Sequence, residues 1–270
     1  MRRSTPLVLL AVLTLTLAGC YTVPETGRQS FIVISPGEES QLGASEFANI
    51  KAKEKISADP AYNEQVTRVG RHIADAVGNQ LPSAKWEFVV FDAPKTVNAF
   101  ALPGGKVGVY TGLLKLCDSD DELAIVMGHE IGHVTARHGA ERMSEALLIG
   151  LGAVVVDAAT QSRTNSTRNA WLIGYGAVVG VGASMKFSRN HESEADHIGV
   201  RYAAKAGYDP RASITFWQKM AKQKSQPGGV VGAVMALVST HPVDAERIQQ
   251  LQGWMPEVLP LYEAAKLHPR

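Results

Sequence analysis

Cysteine is scarce, with two in 270 residues. That excludes the disulfide framework of a small secreted scaffold. A charge excess is missing as well. Lys and Arg total 27 against 26 Asp and Glu, a net charge of +1, so there is no electrostatic footprint for nucleic acid. No apolar run reaches the roughly 20 residues that a bilayer-spanning helix needs. Internal repeats and low-complexity tracts are absent. What remains is ordinary globular composition, 45% hydrophobic and 20% charged. It rules out a disordered, collagenous or coiled-coil chain. The length suits one large domain or two small ones with a real core.

The first twenty residues have an order of their own. Met1-Arg2-Arg3 is basic, Leu7 to Leu17 is apolar, and Leu17-Ala18-Gly19-Cys20 follows with small residues. This is the pattern of a secretory signal peptide, expected over residues 1–19. Leu-Ala-Gly-Cys also resembles the bacterial lipobox. The resemblance implies cleavage before Cys20 and acylation of its thiol and new amino group. Dual or triple acylation anchors stably where a single chain is marginal. Tyr21 rather than Asp follows Cys20, which implies the outer membrane. The expected organisation is a signal peptide (1–19), a lipidated tether (20–34) and a main domain (35–270). Losing Arg2 and Arg3 leaves 25 basic against 26 acidic residues in the mature chain. With Cys20 lipidated, Cys117 has no partner and reads as a small core residue.

Ser35-Pro36-Gly37-Glu38 reads as a helix start running to about Ile56. Asp59-Pro60 opens another helix, with Val66, Val69, Ile73 and Val77 at helical spacing. Trp86–Phe91, Val97–Leu102 and Lys106–Tyr110 read as strands, the last two joined by a Pro103-Gly104-Gly105 turn. From Ser119 onward the chain reads as helical. Helices, a small sheet and more helices argue for an α+β fold rather than a wound parallel sheet. Two glycine-rich apolar segments, Ala146 to Ala159 and Trp171 to Met185, read as a helical hairpin packed on the body, with a membrane-dipping hairpin as the minor alternative.

The centre of the chain is His129-Glu130-Ile131-Gly132-His133. It lies in a helical window that Ser119-Asp120-Asp121-Glu122 opens as a capping box. Residues four apart stack on one helix face, so His129 and His133 can present two imidazoles to one ion. Glu130 stands beside them as a general base for an attacking water. Chance gives about 0.014 such motifs in a chain of this composition. Zinc with two histidines needs a third protein ligand, commonly a carboxylate in hydrolytic sites. Glu192 and Asp196 lie four apart in the next polar helix start, from Ser188 to Gly199. Glu192 is expected to ligate, and Asp196 to orient a ligating histidine, His129 by analogy with thermolysin-like sites. Glu194 reads as an exposed helix charge, and His191 and His197 as surface or capping residues. His138 reads as structural, on the same helix as the motif.

With these residues together, the chain resembles the zinc peptidases that include HtpX and the CAAX prenyl endopeptidases, and among them the secreted, lipobox-bearing bacterial members. Four segments carry the resemblance: Asn98 to Gly105, Gly128 to His133 with Arg137-His138, Ser188 to Gly199, and Thr240-His241-Pro242 through Arg247. It implies a mainly helical, zincin-like (gluzincin) α+β domain with a small sheet beside the motif helix. It maps one zinc ion onto His129, His133 and Glu192 and the general base onto Glu130. It also brings His241 and Arg247 near the ion as candidate donors to the oxyanion. If a loop carries His241 onto the metal, the site is switched off. Asn98, Ala99 and Phe100 are candidates for a substrate-binding strand edge, or equally a core strand end. The expectation is a zinc endopeptidase held by lipid at the periplasmic face of the outer membrane, cleaving misfolded or unassembled envelope proteins. The rival is a chaperone or assembly factor with a mostly latent zinc site. Glu130 favours the enzyme, because a structural zinc has no use for it and usually fills all four positions with Cys or His.

Overall fold

Helix boundaries fall where capping chemistry places them. The computed structural model describes residues 20–160, 188–224, 237, 241 and 245–267. The signal-peptide reading (1–19) and the second apolar segment (171–185) lie outside the described residues. The chain divides into two compact units, one made mostly of residues 36–137 and 187–270 and the other of residues 27–35 and 138–186 with the N-terminal segment.

The larger unit starts with α1 (Pro36–Lys53) and α2 (Pro60–Val77). Asp59 caps α2, its Oδ1 accepting from the Ala61 N–H at 2.9 Å. Val66, Val69, Ile73 and Val77 are buried along one face. Strands β3 (Glu87–Phe91), β4 (Ala99–Leu102) and β5 (Lys106–Tyr110) follow. They form a sheet in the order β3-β5-β4, with β3 parallel and β4 antiparallel to β5. Gly104 and Gly105 turn between β4 and β5 with φ of +85° and +79°, a region that only glycine enters cheaply. After the short α3 (Thr111–Leu114) comes α4 (Asp120–Thr135), which carries the motif. Ser119 Oγ accepts from the Glu122 N–H at 3.3 Å. The return half of the box goes one residue further back, since Glu122 Oε2 accepts from the Asp118 N–H at 2.8 Å.

Helix α4 does not continue through His138 as expected. It ends at Thr135, and Arg137 turns with φ of +59°. The Arg137 Nε donates to Glu39 Oε2 at 2.7 Å, which holds that turn in place. Helices α6 (Arg189–Lys205), α7 (Ala212–Lys224) and α8 (Ala245–Leu267) complete the unit. Helix α4 is enclosed almost all round, with α6, α2, α7 and the edge strand β4 against it. The fold is therefore α+β and mainly helical, with a small sheet beside the motif helix.

The smaller unit holds β1 (Cys20–Thr22), β2 (Gln29–Phe31) and α5 (His138–Thr160). The two strands pair antiparallel, Tyr21 opposite Ser30. Residues read as a plain tether thus include a two-stranded sheet. Arg28 forks onto Glu141 at 2.8 and 2.7 Å, and the Val33 N–H donates to Ser144 Oγ at 3.0 Å. Cys20 is exposed. Among the described residues, no helix is long and apolar enough to cross a membrane.

Candidate metal centre

Glycine brings the two site helices together. A Cβ on Gly128 would meet the Gly199 carbonyl oxygen at 2.7 Å, and one on Gly132 the Ala195 carbonyl oxygen at 2.9 Å. No side chain fits such a gap, so α4 and α6 touch backbone to backbone. Gly128 and Gly132 are four apart in α4, which is the small-xxx-small spacing of closely packed helices. Ser188 caps α6 by accepting from the His191 N–H at 3.2 Å. One turn of α6 then points Glu192 and Asp196 at α4.

The donors converge to metal-ligand spacing. His129 Nε2 lies 3.1 Å from His133 Nε2. Glu192 Oε2 is 3.5 Å from the first, and Glu192 Oε1 is 3.4 Å from the second. Bonds of about 2.0–2.2 Å at tetrahedral angles place neighbouring ligand atoms roughly 3.3–3.6 Å apart. His241 joins the group: its Nδ1 is 3.1 Å from His129 Nε2 and 3.0 Å from Glu192 Oε1. Donor atoms of His129, His133, Glu192 and His241 all lie within 4.8 Å of one another, and all four residues are buried. Two imidazoles and a carboxylate at these distances fit one zinc ion, with the His241 Nδ1 at the fourth position.

The charges around this cluster explain its electrostatics. The His129 Nδ1–H donates to Asp196 Oδ1 at 2.8 Å. Burial opposes protonation of His129, but the Asp196 and Glu192 carboxylates push its pKa up to about 9. Burial likewise opposes ionisation of Glu192, and hydrogen bonds with His129, His133 and His241 hold it well below the usual carboxylate range. Asp196 is lowered too: burial works against it, and Arg247 and His129 prevail. Both carboxylates are thus held ionised in a dry interior, and Glu192 with the two imidazoles offers the donor types that suit a zinc ion. Glu130 is different. Burial raises its pKa, and Glu130 Oε1 is enclosed without a hydrogen bond among the described residues. His241 Nε2 stands 3.4 Å from it. A raised carboxyl beside a cation site suits a proton acceptor that must later release its proton.

The structure brings His129, Glu130, His133, Glu192, Asp196, His241 and Arg247 into one buried group. Arg247 reaches this group through its two carboxylates. Its Nε donates to Asp196 Oδ2 at 2.6 Å and its Nη2 to Asp196 Oδ1 at 2.8 Å. A third nitrogen, Nη1, is 3.3 Å from Glu192 Oε2. Two nitrogens of the guanidinium thus bond Asp196, and the third faces Glu192. Asn98, Ala99 and Phe100 lie at and beside the edge strand β4. The Tyr110 N–H donates to the Asn98 carbonyl at 3.1 Å, while the Phe100 ring belongs to an aromatic cluster with Phe47, Phe91 and Tyr110. Any strand-edge role therefore rests on main chain, not on that ring.

Glu194, read as an exposed charge, is buried and accepts a hydrogen bond from the Thr26 hydroxyl. His191 is buried as well. His197 is half-buried, bonded to Glu257 at 2.9 Å and stacked on Trp254. Cys117 is half-buried, and burial pushes its thiol pKa up. Sequence reasoning missed Trp217, whose ring stands edge-on to His129 at 6.1 Å. A buried tryptophan in an amphipathic helix carries no sequence mark of its own. The helix-crossing glycines did carry one, in the Gly128-xxx-Gly132 spacing.

The sequence profile of peptidase family M48 matches residues 60–255. The mitochondrial metalloendopeptidase OMA1 of Schizosaccharomyces pombe is 32% identical over 236 residues, covering 87% of this chain and 66% of that protein. The protein of the same name from Saccharomyces cerevisiae is 32% identical over 272 residues, covering 93% and 76%. The beta-barrel assembly-enhancing protease of Escherichia coli K12 is 27% identical over 251 residues, covering 89% and 48%. The chain thus spans about half the length of that bacterial relative and two thirds to three quarters of the yeast ones.

Proposed function

The chain belongs to peptidase family M48, and we propose that it is a zinc-dependent endopeptidase of the secreted lipoprotein type. In this reading Cys20 is acylated and holds the protein at the periplasmic face of a bacterial outer membrane. Its substrates are misfolded or unassembled envelope proteins. The observation that carries the enzymatic part is the pairing of a tetrahedral donor set with Glu130. His129, His133 and Glu192 would hold the ion, and Glu130 Oε1 is left without a hydrogen bond beside it. The envelope setting draws support from the lipobox-like Leu17-Ala18-Gly19-Cys20 and from the name of the E. coli relative.

The division of labour follows from the geometry. Zinc, when bound, supplies Lewis-acid activation of the attacking water and the scissile carbonyl. Glu130 takes the proton of that water and delivers it to the leaving amine. Asp196 holds His129 in one ring orientation, so Nε2 keeps its lone pair toward the ion. Substrate main chain would pair with the edge of β4, which adjoins α4. The test is cleavage of casein by the purified full chain. Cleavage should stop with a zinc chelator, return with added zinc, and fall about 10²–10⁴-fold in Glu130→Gln. Casein cleavage that survives both treatments would refute the mechanism. Replacing Cys20 with Ser should move the protein from the membrane to the soluble fraction and abolish labelling by a fatty acid.

A second reading, a latent resting state, is favoured by one contact set. His241 lies between Glu130 and Glu192, 3.4 Å from the first and 3.0 Å from the second. A water held between the ion and Glu130 would need the same space. With His241 there, the fourth position is filled from within the chain. His241→Ala should then raise casein cleavage. A fall would assign His241 to transition-state stabilisation instead.

A further inference from the structure

We propose that Trp217 is the platform of a clamp that orients the zinc ligands. Trp217 carries Arg247, Arg247 carries Asp196 and Glu192, and Asp196 carries His129. The inference rests on the metal site described above and assigns to Trp217 and Arg247 the part of positioning residues.

The guanidinium carbon of Arg247 sits 3.6 Å above the centre of the Trp217 ring. Trp217 is 1% exposed and Arg247 5%. A guanidinium makes hydrogen bonds only at its rim. Its flat faces need an apolar or aromatic cover, and indole is the best of these. With its face covered, the rim of Arg247 is turned onto Asp196 and Glu192. One cation thereby balances two buried carboxylates, which would repel each other and draw in water without it. Asp196 is gripped on one side by this fork and on the other meets His129 Nδ1. The His129 ring is thus held through Arg247 and Asp196, besides meeting the Trp217 ring edge-on at 6.1 Å.

Packing alone does not account for an indole here. Trp217 Nε1 is enclosed with no hydrogen-bond partner among the described residues, and a buried indole N–H normally has one. A phenyl ring would fill apolar space without that cost. The larger π face over the cation is what tryptophan adds. The arrangement also joins α7, α8, α6 and α4 at one buried cluster. No local sequence pattern announces it.

The experiment is zinc affinity of the full chain, measured by competition with a chromophoric chelator. Casein turnover is followed in parallel. Trp217→Leu keeps apolar bulk and removes the π face. It should weaken zinc binding about 10–100-fold, as loss of ligand-orienting partners does. Trp217→Phe should fall between Leu and wild type. In an Arg247→Met background Trp217→Leu should add little, because both variants break the same chain of contacts. Arg247→Lys, which keeps the charge and loses the fork, should also weaken zinc binding. Wild-type zinc affinity in folded Trp217→Leu, or equal losses from Trp217→Leu in both backgrounds, would overturn the inference. If Trp217→Leu does not fold, the same cycle run with Trp217→Phe and Arg247→Lys decides, and additive losses overturn it. Failure of the wild type to bind zinc would instead bring down the peptidase reading itself, and this inference with it.

Discussion

A methyl group on Gly199 would stand 2.6 Å from the His129 backbone nitrogen. The ligand helix and the motif helix are therefore held at a separation that only hydrogen at this position allows. Gly199→Ala must push α6 off α4 and carry Glu192 away from the histidines. We expect a loss of about 1–3 kcal/mol in stability, the usual cost of overpacking, together with weaker zinc binding. Thermal unfolding with and without zinc measures both. An Ala variant with unchanged melting and zinc affinity would contradict the crossing geometry.

Asp196 is the residue through which the carboxylate shell reaches His129. Asp196→Asn can still accept from His129 but no longer balances Arg247. Zinc affinity should drop about 10–100-fold, while the circular dichroism of the zinc-free chain stays helical. Equilibrium dialysis against buffered zinc gives the number.

Glu25 predicts a pH dependence. It is tied to Lys205 and Arg201, each at 3.0 Å. Burial raises its pKa, but the hydrogen bonds with Lys205 and Gln80 and the two positive charges hold it below its ordinary 4.5. A lowered carboxylate pKa means that the native state binds the proton less readily than the unfolded chain. Its contribution is complete above the unfolded value and disappears as pH falls through the folded one. Glu25→Gln should cost about 1 kcal/mol at pH 7 and much less near pH 3. Urea midpoints of both proteins at the two pH values test this.

Zinc itself should act as a structural ligand of the native state. Ions that bind only the folded chain stabilise it by mass action, about 2.7 kcal/mol at a hundredfold excess over the dissociation constant. The melting temperature should therefore rise with zinc in the wild type. It should rise much less in His133→Ala, which removes one imidazole from the cluster. Differential scanning calorimetry over a zinc series reports the difference.

The legible part of this protein is local. Ser119 and Asp59 start helices because their side chains reach backbone N–H groups within three residues. His129 and His133 share a face because the helix repeats every 3.6 residues. Glu192 and Asp196 are paired by the same period. The strands β4 and β5 are bounded by Gly104 and Gly105, whose positive φ is written in their chemistry. Other features were not visible in this way. Glu194 has the sequence context of a surface charge, yet it is buried in the fold, where the Thr26 hydroxyl donates to it. The helix expected to run on past the motif ends at Thr135, and Glu39 from a distant helix bonds Arg137 in the turn that follows.

By itself the sequence determined which side chains face one another along each helix, and so which residues could act on a metal and a water. Tertiary structure alone decided how near α4 and α6 come, that β3 lies parallel to β5, and that Arg247 rests on Trp217 with its rim turned to Asp196. The reason is range. Caps and helical periods are settled between near neighbours in the chain, whereas the meeting of four helices at one buried cluster depends on volumes and charges that no single segment contains.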